Sequence, residues 1–195
     1  TRLLIQDSIK ERLLSKVIEQ AKKIIPQDPL DPSSTFGALI NEAHMKKVLA
    51  YITSGSEEGA KLILGGKQID VVTGGHYIEP TIFDQVNPEQ KIAQDEIFGP
   101  VLSVFTFKNE EEAIQIANNS CFGLYAYAAT QNVGRMRRLG QYLNAGRVKI
   151  LGTSTPVYGN VDITRELHRQ SGISFAFGIE GMSAYTTSSS VHLLT

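Results

Sequence analysis

Residues 96–129 place the tightest limit on what this chain can fold into. They read, without a break, as a sharp turn, a strand, a helix and a second strand. Gly99-Pro100 fixes a turn directly after Glu96-Ile97-Phe98. Val101 to Phe107 is then a strand-like apolar run. Asn109 stands where a helix cap belongs, and Glu110, Glu111 and Glu112 fill the first turn, where the helix dipole favours acids. Leu124 to Ala129 is apolar again. Strands that alternate with a helix in so short a span imply an α/β fold, a largely parallel sheet flanked by helices.

The remaining segments extend the alternation. Arg2 to Ile5 reads as a strand, with Asp7 as the expected N-cap of a helix. Ile9, Leu13, Val17, Ala21 and Ile24 form its apolar stripe, and Pro26 ends it. The prolines and aspartates between Gln27 and Phe36 mark a loop. A second helix is expected after Asn41, with Met45, Val48, Leu49 and Ile52 inward. Strands follow at Lys61–Leu64 and from Tyr77 to Phe83. A basic amphipathic helix runs from Val133 to Leu143, stopped by Gly146, and a strand from Arg147 to Leu151. Ser189 to Leu194 alternates weakly and reads as a separate terminal strand.

Composition excludes several function classes. The 195 residues suit one domain with a real core. A net charge of -1 creates no global field for nucleic acid or anionic lipid. No run of about 18 apolar residues is present, so no spanning helix and no membrane partner are expected. The first residues lack a signal-peptide pattern. Because the chain starts at Thr1 rather than Met, an upstream segment is expected. One cysteine, Cys121, permits no internal disulfide and points to a reducing compartment, with the cytoplasm as the default.

Familiar cofactor and metal patterns are absent. There is no G-x-G-x-x-G, no Walker A loop and no H-E-x-x-H. Gly65-Gly66-Lys67 lacks phosphate-loop spacing and reads as a hairpin turn. His44, His76, His168 and His192 are too far apart in sequence to suggest metal ligation. Cys121 lies between a helix and a strand and reads as a structural residue.

Several blocks together carry a resemblance. GALINEAHMKKVLAYI, EEGAKLILGGK, GGHYIEPTIFDQV, EIFGPVLSVFTFKNEEEAIQIANNSCFGL, FGLYAYAAT and LNAGRVKI occur in that order along the chain. Over nearly its whole length the chain resembles the NAD(P)-dependent aldehyde dehydrogenases. The opening, RLLIQDSIKERLLSKV, is similar to the segment just downstream of that family's nucleophilic cysteine. The resemblance implies an aldehyde dehydrogenase catalytic-domain fold over residues 1–187. It also implies a C-terminal arm strand over residues 188–195.

The resemblance further implies that Glu96 binds the hydroxyls of the nicotinamide ribose and that Phe98 packs beside the nicotinamide. A carboxylate can accept both hydroxyls of a diol in one charge-assisted bidentate contact, and an aromatic edge limits where a ring can sit. His44, Met45, Lys46 and Lys47 stand where relatives place further cofactor-facing residues, although a solvated helix face is the reading their pattern favours. Cys121 occupies a position that relatives fill with a small or hydroxylic packing residue. No catalytic residue and no metal ligand is assigned.

The departures matter. The family's G-Q-x-C, its E-L-G-G, its oxyanion asparagine and its N-terminal coenzyme-binding domain are not found in these residues. Ile150-Leu151-Gly152 replaces the usual V-N. Within Val161 to Gly172 only Ser171-Gly172 matches, so Thr153 to Asn160 is a weak guide to specificity. The expected function is a part of an NAD- or NADP-dependent enzyme that oxidises a small aldehyde to a carboxylic acid, with this chain inactive alone. It is expected to assemble as a homo-oligomer through its C-terminal strand. The alternative is a non-catalytic assembly module in which Ser190 to Leu194 adds to a neighbouring sheet.

Overall fold

A computed structural model describes residues 1–70, 74–152 and 164–191. The chain divides into two compact units, Thr1–Ala113 and Ile114–Thr195. The first is built on a four-stranded sheet in the order β1-β6-β5-β2. Here β1 is Arg2–Gln6, β2 is Lys61–Leu64, β5 is Thr81–Asp84 and β6 is Val101–Phe107. β6 runs parallel to both β1 and β5, and β2 pairs antiparallel with β5 along the edge. The expected largely parallel α/β sheet is what forms.

Burial follows strand position. All four residues of central β5 are buried, whereas edge strand β2 exposes Lys61 and Leu62. Helix α1, Lys10–Ala21, covers one face by packing Leu14 against Ile5, Ile82 and Val104. The opposite face carries Phe83, Ser103 and Phe105, because side chains alternate across a strand. There helix α2, Glu42–Glu57, buries Met45, Val48 and Ile52. The short helix α3, Lys91–Gln94, buries Ile92 and Ala93 beside it. Ser103 Oγ donates to the Ile92 carbonyl at 2.9 Å, so the one polar side chain of central β6 on that face is satisfied.

Helix boundaries differ in places from those the pattern suggests. Asp7 does not cap α1. It opens a single 3-10 turn, Asp7–Ile9, and Ile9 takes the cap position without a side-chain bond. α1 stops at Ala21, and Ile24 lies beyond it, exposed. Asn41 caps α2 by accepting the His44 N–H at 2.8 Å. Helix α4, Glu110–Asn118, is capped by Asn109, with Glu112 reaching back one residue beyond the cap. Asn109 Oδ1 accepts the Glu112 N–H, and Glu112 Oε2 accepts the Lys108 N–H.

The segment expected as one strand from Tyr77 to Phe83 is two. Pro80 cannot donate to a ladder, so β4, Tyr77–Ile78, pairs with β3, Gln68–Ile69, while β5 joins the main sheet. Gly65-Gly66 is consequently not a hairpin turn. It is a bend between a strand paired to β5 and a strand paired to β4.

The Ile114–Thr195 unit is built from smaller pieces. β8, Ala126–Ala129, and β9, Val148–Leu151, pair in parallel. Helix α5, Val133–Tyr142, connects them in the expected strand-helix-strand order and buries Leu139. β7, Phe122–Gly123, pairs with β11, His168–Arg169, and β10, Arg165–Glu166, with β12, Phe175–Ala176. A short helix α6, Gly178–Ser183, follows. Residues 188–191 form no regular strand, and residues 192–195 of the expected terminal strand lie outside the described residues.

One buried ion pair ties α1 to the sheet. Lys10 Nζ lies 2.9 Å from Asp84 Oδ2, both side chains largely covered. Asp84 Oδ1 is buried with no hydrogen-bond partner. Removing the cation strands a desolvated carboxylate, so Lys10→Met is expected to destabilise the fold by about 1–3 kcal/mol. The urea midpoint of unfolding measures this, and an unchanged midpoint would show that Asp84 does not depend on Lys10.

Candidate functional site

Glu96 and Phe98 sit on the loop between α3 and β6, two residues apart with Ile97 between them. Ile97 is 3% exposed and anchors the loop in the core. Its two neighbours face outward, and Phe98 is 75% exposed. Phe98 also has a φ of 57°, in the left-handed region that bulky residues rarely enter. A large aromatic ring left in water on a strained backbone costs free energy on both counts, and such positions concentrate at functional sites.

α2 holds this loop at three points along one face. His44, Val48 and Tyr51 follow one another at helical spacing. His44 Nε2 donates to the Phe98 carbonyl at 2.9 Å, since a carbonyl can only accept. The two rings lie 6.5 Å apart at 50°. Gly99 passes so close to Val48 that an added Cβ would meet its methyl groups at 2.8 Å. Tyr51 Oη donates to Asp95 Oδ2 at 3.1 Å. Desolvation, and then this bond to Asp95, hold the Tyr51 phenol above its ordinary pKa.

The loop ends are also fixed. Glu58, beside the C-terminus of α2, accepts from Ser54 Oγ at 2.6 Å and from the Lys91 N–H at 2.8 Å. Those bonds, Ser54 first, keep its carboxyl below the usual glutamate range. The Pro100 carbonyl accepts the Thr81 N–H at 2.8 Å, joining the loop to the start of β5.

Glu96 is presented differently from its neighbours. No hydrogen bond to its carboxylate is found among the described residues. A carboxylate with unused lone pairs beside an exposed aromatic ring fits a ribose diol next to a flat heterocycle. The carboxylate acceptor and the exposed ring together could hold the nicotinamide end of a dinucleotide.

Two expectations are corrected here. His44 does not belong to a merely solvated helix face, because its ring reaches the Phe98 backbone. Lys46 does fit that description, paired at 2.7 Å with Glu42 in water. Cys121, expected as a packing residue, is exposed. Its carbonyl accepts the Gln170 N–H at 2.9 Å.

In the Ile114–Thr195 unit, Ser171 Oγ accepts the Gly123 N–H at 3.0 Å. That contact accounts for Ser171 structurally. Thr153 to Asn160 lies outside the described residues. No group of three or more His, Cys, Asp or Glu residues able to hold a metal occurs among the described residues. No described helix is long and apolar enough to cross a membrane.

Sequence reasoning singled out Glu96 and Phe98 but missed Tyr51 and Asp95, and it undervalued His44. The only available signal was the seven-residue spacing of His44 and Tyr51, which marks one helix face without saying what that face meets.

Comparison with known proteins gives a consistent result. The profile described as the aldehyde dehydrogenase family matches residues 1–191. The betaine aldehyde dehydrogenase of Brucella anthropi is 37% identical over 99% of this chain. The chain spans 39% of that relative's length. Among solved structures, the indole-3-acetaldehyde dehydrogenase AldA of P. syringae, a mutant in complex with NAD+ and IAA, is 44% identical with a TM-score of 0.89. That match covers 95% of this chain and 37% of AldA. The aldehyde dehydrogenase KauB of Pseudomonas aeruginosa is 41% identical, also with a TM-score of 0.89, over 95% of this chain and 37% of its own.

Proposed function

The chain belongs to the aldehyde dehydrogenase family, and on that premise we propose that the whole protein oxidises an aldehyde to a carboxylic acid with NAD+ or NADP+. The observation that carries this reading is the loop from Asp95 to Pro100. It presents an uncommitted Glu96 carboxylate and an exposed Phe98 ring from a backbone fixed on both sides.

In this reading the chain contributes cofactor positioning and no nucleophile. When bound, the oxidised nicotinamide supplies the hydride acceptor. Glu96 would accept the two ribose hydroxyls, and the charge on its carboxylate strengthens both bonds. Phe98 would limit the orientation of the adjoining ring and exclude water from one side. Rigid placement is what such residues add to a reaction, because a near-attack geometry is lost with small displacements.

The thiol that attacks the aldehyde is proposed to lie outside these residues, so the chain alone is inactive. Cys121 is not that thiol. Cys121→Ser in the whole protein is expected to leave kcat/KM for aldehyde oxidation unchanged, and loss of turnover would overturn this assignment. Residues 1–187 are proposed as the catalytic-domain portion and 188–195 as an arm strand that joins subunits of a homo-oligomer. The cytoplasm is proposed as the compartment, on the strength of a single exposed thiol.

The direct test is reduction of NAD+ or NADP+ at 340 nm by the whole protein, over a panel of small aliphatic, amino- and hydroxy-aldehydes. Turnover with any of them supports the reading. No turnover combined with no binding of NADH or NADPH would turn attention to the alternative, a non-catalytic assembly module.

A further inference from the structure

We infer that His44 is a positioning residue, which sets the aim of the Phe98 ring by holding the Phe98 carbonyl. The inference rests on the cofactor reading of Glu96 and Phe98 and adds to it the device that maintains their geometry. Phe98 sits at φ 57°, a conformation that a bulky side chain leaves unless something opposes relaxation. Among the described residues its own ring is 75% exposed and packs too little to do so. The restraint must act on the backbone, and the His44 bond at 2.9 Å acts on the carbonyl of that same residue.

The rest of the His44 ring supports this assignment. Nδ1 is buried and has no hydrogen-bond partner among the described residues. The single polar contact that the ring makes is therefore the one to Phe98. A histidine kept only for solubility would turn both nitrogens to water, and a core histidine would have both satisfied. The bond spans 54 residues in sequence, so it reports tertiary placement and not local helix chemistry. Below it on the same helix face, Val48 meets Gly99 and Tyr51 holds Asp95. The backbone around Glu96 and Phe98 can move little as long as α2 is intact, and His44 is the contact nearest the ring.

The test uses the whole protein and measures dissociation of NADH, or of NADPH if that binds more tightly, by nucleotide fluorescence. His44→Phe keeps the ring volume and removes the donor. It is expected to weaken binding about five- to tenfold, with the melting temperature lowered by no more than the loss of one hydrogen bond explains. His44→Gln, whose amide can donate to the same carbonyl, is expected to restore most of the affinity. In a Phe98→Ala background the effect of His44→Phe should nearly vanish, because no ring remains to aim.

Several outcomes overturn the inference. Wild-type affinity in His44→Phe would do so, as would a failure of His44→Gln to rescue. An undiminished effect in the Phe98→Ala background would show that His44 acts independently of that ring. If His44→Phe fails to fold, His44→Gln and the Phe98→Ala pairing carry the test alone, and a loss of affinity in His44→Gln without a change in melting temperature overturns it. Glu96→Ala is the control. If that variant binds the nucleotide as wild type does, the cofactor reading falls and this inference falls with it. If Glu96→Ala weakens binding and His44→Phe does not, only the inference falls.

Discussion

Replacing Glu96 by alanine in the whole protein is expected to weaken nicotinamide-nucleotide binding about 10- to 100-fold, the range for hydrogen bonds to a charged group. The Glu96 carboxylate is on an exposed residue of the loop. No hydrogen bond among the described residues uses it, so its removal breaks none of those bonds. Stability is therefore expected to stay within about 0.5 kcal/mol, as for other exposed substitutions. Glu96→Gln retains an acceptor oxygen but loses the charge, and should fall between alanine and wild type. Fluorescence titration gives the affinities and urea unfolding gives the stability. A normal affinity in Glu96→Ala would remove Glu96 from the cofactor site, whatever the aldehyde specificity of the protein.

The second large effect concerns the bend at Gly65. It has a φ of 68°, and a Cβ built on it would lie 2.2 Å from the Pro80 carbonyl oxygen. Both obstacles belong to the backbone, so no side-chain rotation relieves either. Gly65→Ala is expected to destabilise by about 2–4 kcal/mol, adding left-handed strain to forced displacement of packed neighbours. Gly59 separates the two contributions. Its φ is 90°, yet a Cβ there would meet nothing within 4 Å. Gly59→Ala should therefore cost only about 1 kcal/mol, the conformational part.

Urea midpoints of the two variants decide the matter. If both lose the same stability, the approach of the bend to Pro80 is not what makes glycine necessary at position 65. The consequence reaches the site, because Pro80 precedes Thr81, which is bonded to the Pro100 carbonyl at the end of the Glu96 loop.

Local features were legible in the sequence where the physics is local. Val101–Phe107 is a strand because its run of branched and aromatic residues suits a buried, pleated surface, and its limits matched. Asn109 capped α4 because a cap needs only a side chain and an N–H three residues on. Asp7 looked as good a cap and is not one, since the chain leaving β1 turns through a 3-10 step first. Pro80 divides a strand that composition alone made continuous. Gly65-Gly66 resembled a hairpin, but which strands flank a turn as partners depends on residues far away.

The candidate site divides in the same way. Glu96 and Phe98 stood out because a compact motif carries them, and the family resemblance named their roles. Residue order alone specifies the α/β alternation, the helix start after Asn41, the cap at Asn109 and the loop that bears Glu96 and Phe98. These follow from propensity, periodicity and turn chemistry, all of which act over a few residues. Long-range packing sets the meeting of His44 with the Phe98 carbonyl, the hold of Tyr51 on Asp95 and the neutralisation of Asp84 by Lys10. Each of those contacts requires polar atoms about 3 Å apart, brought together by the docking of whole helices on a sheet, and no local pattern records where that docking places them.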